Sequence, residues 1–184
     1  MERKEFLMRT AQLCLACGGG AFLAGQEAKP EGDPGEKAKK AREAEMRFRE
    51  AYVLTLMQNL ERQLDEPSRV KLMEDCGRAC ARRSGILALA KKYEGNIRGF
   101  IESMAGTLGK DNLGIDGDAI RWGYSRCYCE LVADGSTLLP RTYCFCSVGW
   151  VREVFDTLAQ KPVRIELVQS IKQGTPSCRF VIRA

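Results

Sequence analysis

The spacing of apolar residues changes period once along the chain, and that change limits the fold more than any other feature. Up to about residue 108 the period is helical. Phe48, Tyr52, Val53, Leu56, Met57, Leu60 and Leu64 recur at three- and four-residue steps as a wide apolar stripe. Asp65, Glu66, Pro67 and Ser68 stop that helix and start a second over residues 67–83, with Pro67 suited to a first turn. A glycine-interrupted helical stretch follows over 86–108, with Ile97, Phe100, Ile101 and Met104 as its buried stripe. Residues 110–117, KDNLGIDG, are turn chemistry. Beyond them Ile120, Trp122, Tyr124 and Tyr128 alternate with Gly123, Ser125, Cys127 and Cys129, the period of a strand. Residues 133–136 turn the chain, 142–146 make a short second strand, and Ser147 opens a helix carrying Trp150, Val151, Val154, Phe155 and Leu158. Residues 163–170 and 178–182 form two last strands, joined through 172–176 as a hairpin. The pattern predicts an α+β fold, with a helical N-terminal half packed on a mainly antiparallel sheet. Its C-terminal half runs strand–strand–helix–strand–strand.

The 184 residues suit one domain with an ordinary core. A net charge of +5, dispersed among 29% charged residues, does not mark a nucleic-acid partner. There is no histidine, which excludes Ser-His-Asp and Cys-His catalysis within the chain and every histidine-containing metal site.

The N-terminus reads as an export signal over residues 1–28, followed by a Pro-, Gly- and charge-rich linker over 29–40. A single cysteine-rich α+β domain over 41–184 completes the expected organisation. Arg3, Lys4 and Arg9 precede the uncharged run 10–25, which is too short for a comfortable membrane span. Arg3-Lys4-Glu5-Phe6-Leu7 resembles the twin-arginine signal, with Lys4 in place of the second arginine. The resemblance implies the twin-arginine export machinery as a partner and a periplasmic or envelope location; the alternative is an amphipathic helix of a cytoplasmic protein. Leu15-Ala16-Cys17-Gly18 resembles part of a lipobox, with Cys14 where that pattern wants an aliphatic residue.

Nine cysteines are the chain's main chemical feature. Cys76 and Cys80 stand four apart, one turn apart on one helical face. Gly77 between them costs helix stability but lets another backbone or a ligand approach closely. Cys127 with Cys129, and Cys144 with Cys146, are C-x-C pairs; on strands each pair would share one face, and two paired strands would line a patch with four sulfurs. Cys178 begins the last strand. Three readings fit these spacings. The thiols are buried apolar side chains, or bridge between motifs as disulfides in an exported protein, or form a soft-metal site. The third reading takes Cys76, Cys80, Cys127, Cys129, Cys144, Cys146 and Cys178 as metal ligands, for zinc, copper(I) or an iron–sulfur centre, or for a thiophilic small ligand. A nucleophilic Cys146 is a variant, its thiol acidified by a helix starting at Ser147 and by Arg141 or Arg126, with Glu130 or Asp134 as base.

Tyr143-Cys144-Phe145-Cys146-Ser147-Val148-Gly149-Trp150, a helix, a Val-x-Ile-x-Leu strand, and Ser170-x-x-x-Gly174-x-x-x-Cys178-Arg179-Phe180 complete the pattern. This ending resembles the four-vinyl-reductase small-molecule-binding domains and the 2-amino-thiazoline-4-carboxylate hydrolase-like proteins. The resemblance covers residues 127–184. It implies a sheet domain with a ligand cavity between sheet and helices, with Cys144 or Cys146 before the helix and Cys178 in the hairpin bound to metal or ligand. A thiol-dependent hydrolase of the thiazoline type is the activity it would imply. The C-x-C doubling and the helical Cys76 and Cys80 depart from that pattern.

Overall fold

The computed structural model describes residues 34–132 and 137–184. The proposed export signal, with Cys14 and Cys17, and the turn residue Asp134 lie outside them. Chain contacts separate residues 1–37 from residues 38–184, and the fold is that of the second unit.

Helix α1 spans Pro34–Gln63, rich in Ala, Glu, Arg, Lys, Leu and Met, which are strong helix formers. Its apolar stripe is only partly used. Val53 and Met57 are buried, whereas Phe48 is 72% and Tyr52 63% exposed. At 3.6 residues per turn the predicted stripe spans about half the helix circumference, and the domain covers only the side shared by Val53 and Met57. Glu50, buried beside them, accepts from Thr137 Oγ1 at 3.0 Å and pairs with the buried Lys172 at 3.4 Å.

Helix α2 spans Glu66–Arg83, with Pro67 in its first turn as expected. The stretch to Leu108 divides into α3, Ile86–Lys92, and α4, Ile97–Leu108, the latter capped by Asn96 Oδ1 accepting from the Gly99 N–H at 3.0 Å. Phe100, Ile101 and Met104 of α4 are buried. None of the described helices is long and apolar enough to cross a membrane.

The sheet holds four antiparallel strands among the described residues: β1 (Gly114–Asp116), β2 (Ala119–Tyr124), β3 (Arg164–Gln169) and β4 (Cys178–Arg183), in the order β1-β2-β4-β3. A register irregularity interrupts β3 between Leu167 and Gln169. Helix α5, Arg141–Ala159, lies between the strand pairs in sequence. The α+β architecture is therefore as expected, but the first strand pair is not. It is β1 with β2, closed by Gly117 at φ +64°, and β1 comes from the stretch read as turn. Residues 142–146 are helical instead of a strand, and the helix starts at Arg141, six residues before Ser147, after Pro140. Cys144, Val148, Val151, Phe155 and Leu158 explain this: they are all buried and recur at helical 4-3-4-3 steps that begin at Cys144.

The main core lies between α5, α4 and the sheet. Trp122 stacks on Phe100 at 5.8 Å between ring centres and meets Phe155 edge-on at 5.4 Å. A second cluster joins Val53 and Met57 of α1 to Met73, Val132, Leu139 and Tyr143.

A thiol-lined candidate site around helix α5

The site depends on how closely α2 approaches α5. At Gly77 the neighbouring backbone is that of Cys146 and Trp150, and a Cβ would overlap the Cys146 carbonyl oxygen. At Gly149 it would overlap the Glu74 carbonyl oxygen. Two glycines thus let the helices touch backbone to backbone, the close approach expected of Gly77. Charged pairs flank the crossing: Arg78 with Glu153 at 2.7 Å and Asp156 at 2.8 Å, and Arg152 with Glu74 at 3.1 Å.

Because residues 144 and 146 are helical, their side chains point about 200° apart and cannot share a face. Cys127 and Cys129 sit in an irregular segment after β2. The expected patch of four strand sulfurs is therefore not formed, and the thiols divide about α5. Cys146 faces α2, where burial first, then the charges of Cys129, Cys80 and Cys76, push its thiol up to about 12. Cys76 and Cys80 are exposed, while Cys129 and Cys146 are half-buried against the second cluster. Cys129 Sγ and Tyr143 Oη share a hydrogen bond of 2.8 Å.

Cys144 points the other way, sharing a 2.7 Å hydrogen bond with the buried Ser170. Burial raises its thiol to about 11, opposed by Ser170 and reinforced by the charges of Cys178 and Cys127. Cys178 is buried too and accepts from the Ile171 N–H at 3.5 Å. Its thiol is raised by burial, against hydrogen bonds from Ile171, Ser170 and Tyr124. Cys127 lies between the groups. Burial raises its thiol, a backbone hydrogen bond at Cys129 opposes that, and the charges of Cys129 and Cys178 add to it.

All seven cysteines of the described residues are free. Among those residues no group of three or more Cys, Asp or Glu side chains is placed to hold a metal ion. Cys146 lies inside the helix instead of just before it, and burial raises its thiol where a helix start was expected to lower it. Arg141 donates to the Leu167 carbonyl at 2.6 Å, and Arg126 stacks over Tyr128 at 4.6 Å. Ser170, Tyr143 and Tyr124 contribute to the site without a role assigned to them from spacing, although Tyr143 and Ser170 both belong to the C-terminal motif. Trp122, fully inside the core, leaves its indole N–H without an acceptor.

The raised thiols fix a pH response. In the unfolded chain Cys144 and Cys146 ionise near the ordinary value of 9.0, and in the folded chain near 11 and 12. Their contribution to stability is complete below the unfolded value and is lost as pH rises toward the folded values. Urea midpoints of reduced protein are expected to fall over that window, and less so in Cys144→Ala and Cys146→Ala. A flat profile would contradict the assignment.

The phenol-responsive sensory domain of the transcription activator PoxR, known from a crystal structure with phenol, is structurally similar at a TM-score of 0.44 and 13% identity. The match covers 72% of this chain and 73% of that one. No curated protein sequence matches the chain. Residues 35–184 match a family of unknown function, DUF6144, and the chain belongs to that family.

Proposed function

We propose that the domain binds a thiophilic ligand, a soft metal ion or a thiol-seeking small molecule, entering at Cys76 and Cys80. The observation that carries this is the backbone contact of α2 with α5, where Gly77, between Cys76 and Cys80, lies against the Cys146 carbonyl, while Cys146 and Cys129 pack on the same apolar cluster. Cys76 and Cys80 offer two accessible sulfurs one turn apart, enough for a soft ion that takes two thiolates. Cys146 and Cys129 pack against the apolar cluster that holds Val53 and Met57 of α1. Because thiols must lose protons to bind a metal, affinity is expected to rise with pH.

Titration of reduced full-length protein with Cd²⁺ or Ag⁺, followed by thiolate charge-transfer absorbance, tests the reading. Stoichiometric uptake is expected, with affinity reduced about a hundredfold in Cys76→Ser/Cys80→Ser if each lost metal–sulfur contact costs about tenfold. Cys144→Ser, on the other side of α5, is expected to retain uptake. Equal uptake by the Cys76/Cys80 variant would overturn the proposal.

A second reading rests on Trp122. A buried N–H without an acceptor in an aromatic layer asks for an explanation, and a small apolar ligand bearing one acceptor between sheet and helices would supply it. Quenching of Trp122 fluorescence by such a ligand, abolished in Trp122→Phe, supports that reading. Unchanged quenching in Trp122→Phe would refute it.

A further inference from the structure

Strand alternation turns Trp122 of β2 and Phe180 of β4 into the core, so Arg121, Gly123, Arg179 and Val181 face outward. On that outer face pairing sets two glycines against two arginines. Gly114 lies across from Arg121, and Gly123 across from Arg179. A Cβ on Gly114 would run into the Arg121 guanidinium, and one on Gly123 would come within 3.6 Å of Arg179 Cγ. The glycines are therefore flat beds across which the arginine side chains lie. Arg121 is held by its Nε donating to Asp116 at 2.6 Å.

The 3₁₀ turn Lys110–Asn112 forms a wall here, its Asn112 carbonyl oxygen 3.4 Å from where a Gly123 Cβ would be. Asn112 Nδ2 donates to the Leu108 carbonyl, which leaves its Oδ1 to accept. Between wall and strands is a cleft of about 210 Å³, lined by Asp111, Asn112, Arg121 and Arg179, with Val168 and Val181 as apolar surface. Asp111 and Arg179 line the same cleft, yet among the described residues neither side chain has an ionic or hydrogen-bonding partner. The volume is below the ~300–1,000 Å³ of drug-sized ligand sites, so the occupant is small.

We propose that this cleft binds a small zwitterion of the α-amino acid class. The carboxylate lies on the guanidiniums of Arg179 and Arg121, whose planar donors match it. The ammonium group faces Asp111 and Asn112 Oδ1, and a hydrocarbon side chain rests on Val168 and Val181. Asp111 decides for a zwitterion over a simple anion, because a lone carboxylate would be repelled by it. This site shares no residue with the thiol site, and either can fail without the other.

Calorimetric titration of the full chain with each proteinogenic amino acid, up to about 10 mM, tests it. At least one is expected to bind saturably, with its deaminated and its decarboxylated analogues each weaker by about tenfold or more. Arg179→Ala and Asp111→Asn, both at exposed positions, are expected to lose about tenfold in affinity, and Arg183→Ala, outside the cleft, nothing. Absence of binding by every amino acid, equal binding of the deaminated analogue, or full affinity in Arg179→Ala would each overturn the proposal. The analogue comparison uses the unaltered protein, so it decides the matter even if a variant folds poorly.

Discussion

Gly149→Leu is expected to destabilise the domain by about 3 kcal/mol or more, lowering the melting temperature by roughly 6–12 °C. The first atom of any side chain at position 149 would overlap the Glu74 carbonyl oxygen, and a backbone cannot rotate aside as a flexible side chain would. Relief requires α2 and α5 to separate, which would pull Arg152 from Glu74 and Arg78 from Glu153 and Asp156. It would also open the interval between Cys146 and the Cys76–Cys80 face, so soft-ion uptake should weaken together with stability. Gly106→Ala is the matched control. Nothing lies within 4 Å of a Cβ at that helical position, and alanine should stabilise by about 0.5–1 kcal/mol. Denaturant unfolding of the two variants against the parent protein reads both signs. A near-neutral Gly149→Leu would mean that the helices do not touch as described.

Phe155→Ala is expected to cost about 3–5 kcal/mol. Phe155 is wholly buried, and its ring sits edge-on to Trp122 at 5.4 Å and to Phe100 at 6.1 Å. Truncation removes an aromatic ring from the junction of α5, α4 and β2, where rigid strands limit how far the gap can close. Phe155→Leu should cost less, because most of the volume is kept. Tryptophan fluorescence should respond to Phe155→Ala through the altered packing of Trp122. Equal stability of the alanine variant and the parent would place Phe155 outside the core.

Element order was legible where periodicity was long. Residues 67–83 and 97–108 carried enough helical spacing to be read directly, and the last two strands were framed by turn residues and Gly174. The segment 142–146 misled because five residues are too few to separate a strand's alternation from a helix's first turns. Only by counting onward from Cys144 to Val148 and Val151 does the helical period emerge. That single difference relocated the site. On a strand, Cys144 and Cys146 would have looked the same way; on a helix they serve different neighbours. The role of Gly77 was readable because a glycine between two helical cysteines has few uses other than close approach. Gly149, its counterpart, gave no such cue, and neither did the partnership of Cys129 with Tyr143, which depends on an irregular segment. The Arg121–Arg179 cleft was out of reach, since it is created by cross-strand register, which no local pattern fixes.

The irregularity in β3 bears on how this protein behaves at high concentration. A sheet's outermost strand offers unpaired amides and carbonyls to any other extended chain, and a long, regular, greasy one templates aggregation. Here β3 forms one border of the sheet, and Val168 on it is 49% exposed, a risk on its own. The break between Leu167 and Gln169 disturbs the straight row of bonding groups, while exposed Arg164 and Glu166 place charge along the same border. At the opposite border β1 is three residues long and has little to offer a second sheet. Neither rim gives a neighbouring molecule a long template, so the domain can expose one face of its sheet to solvent while resisting stacking into fibres.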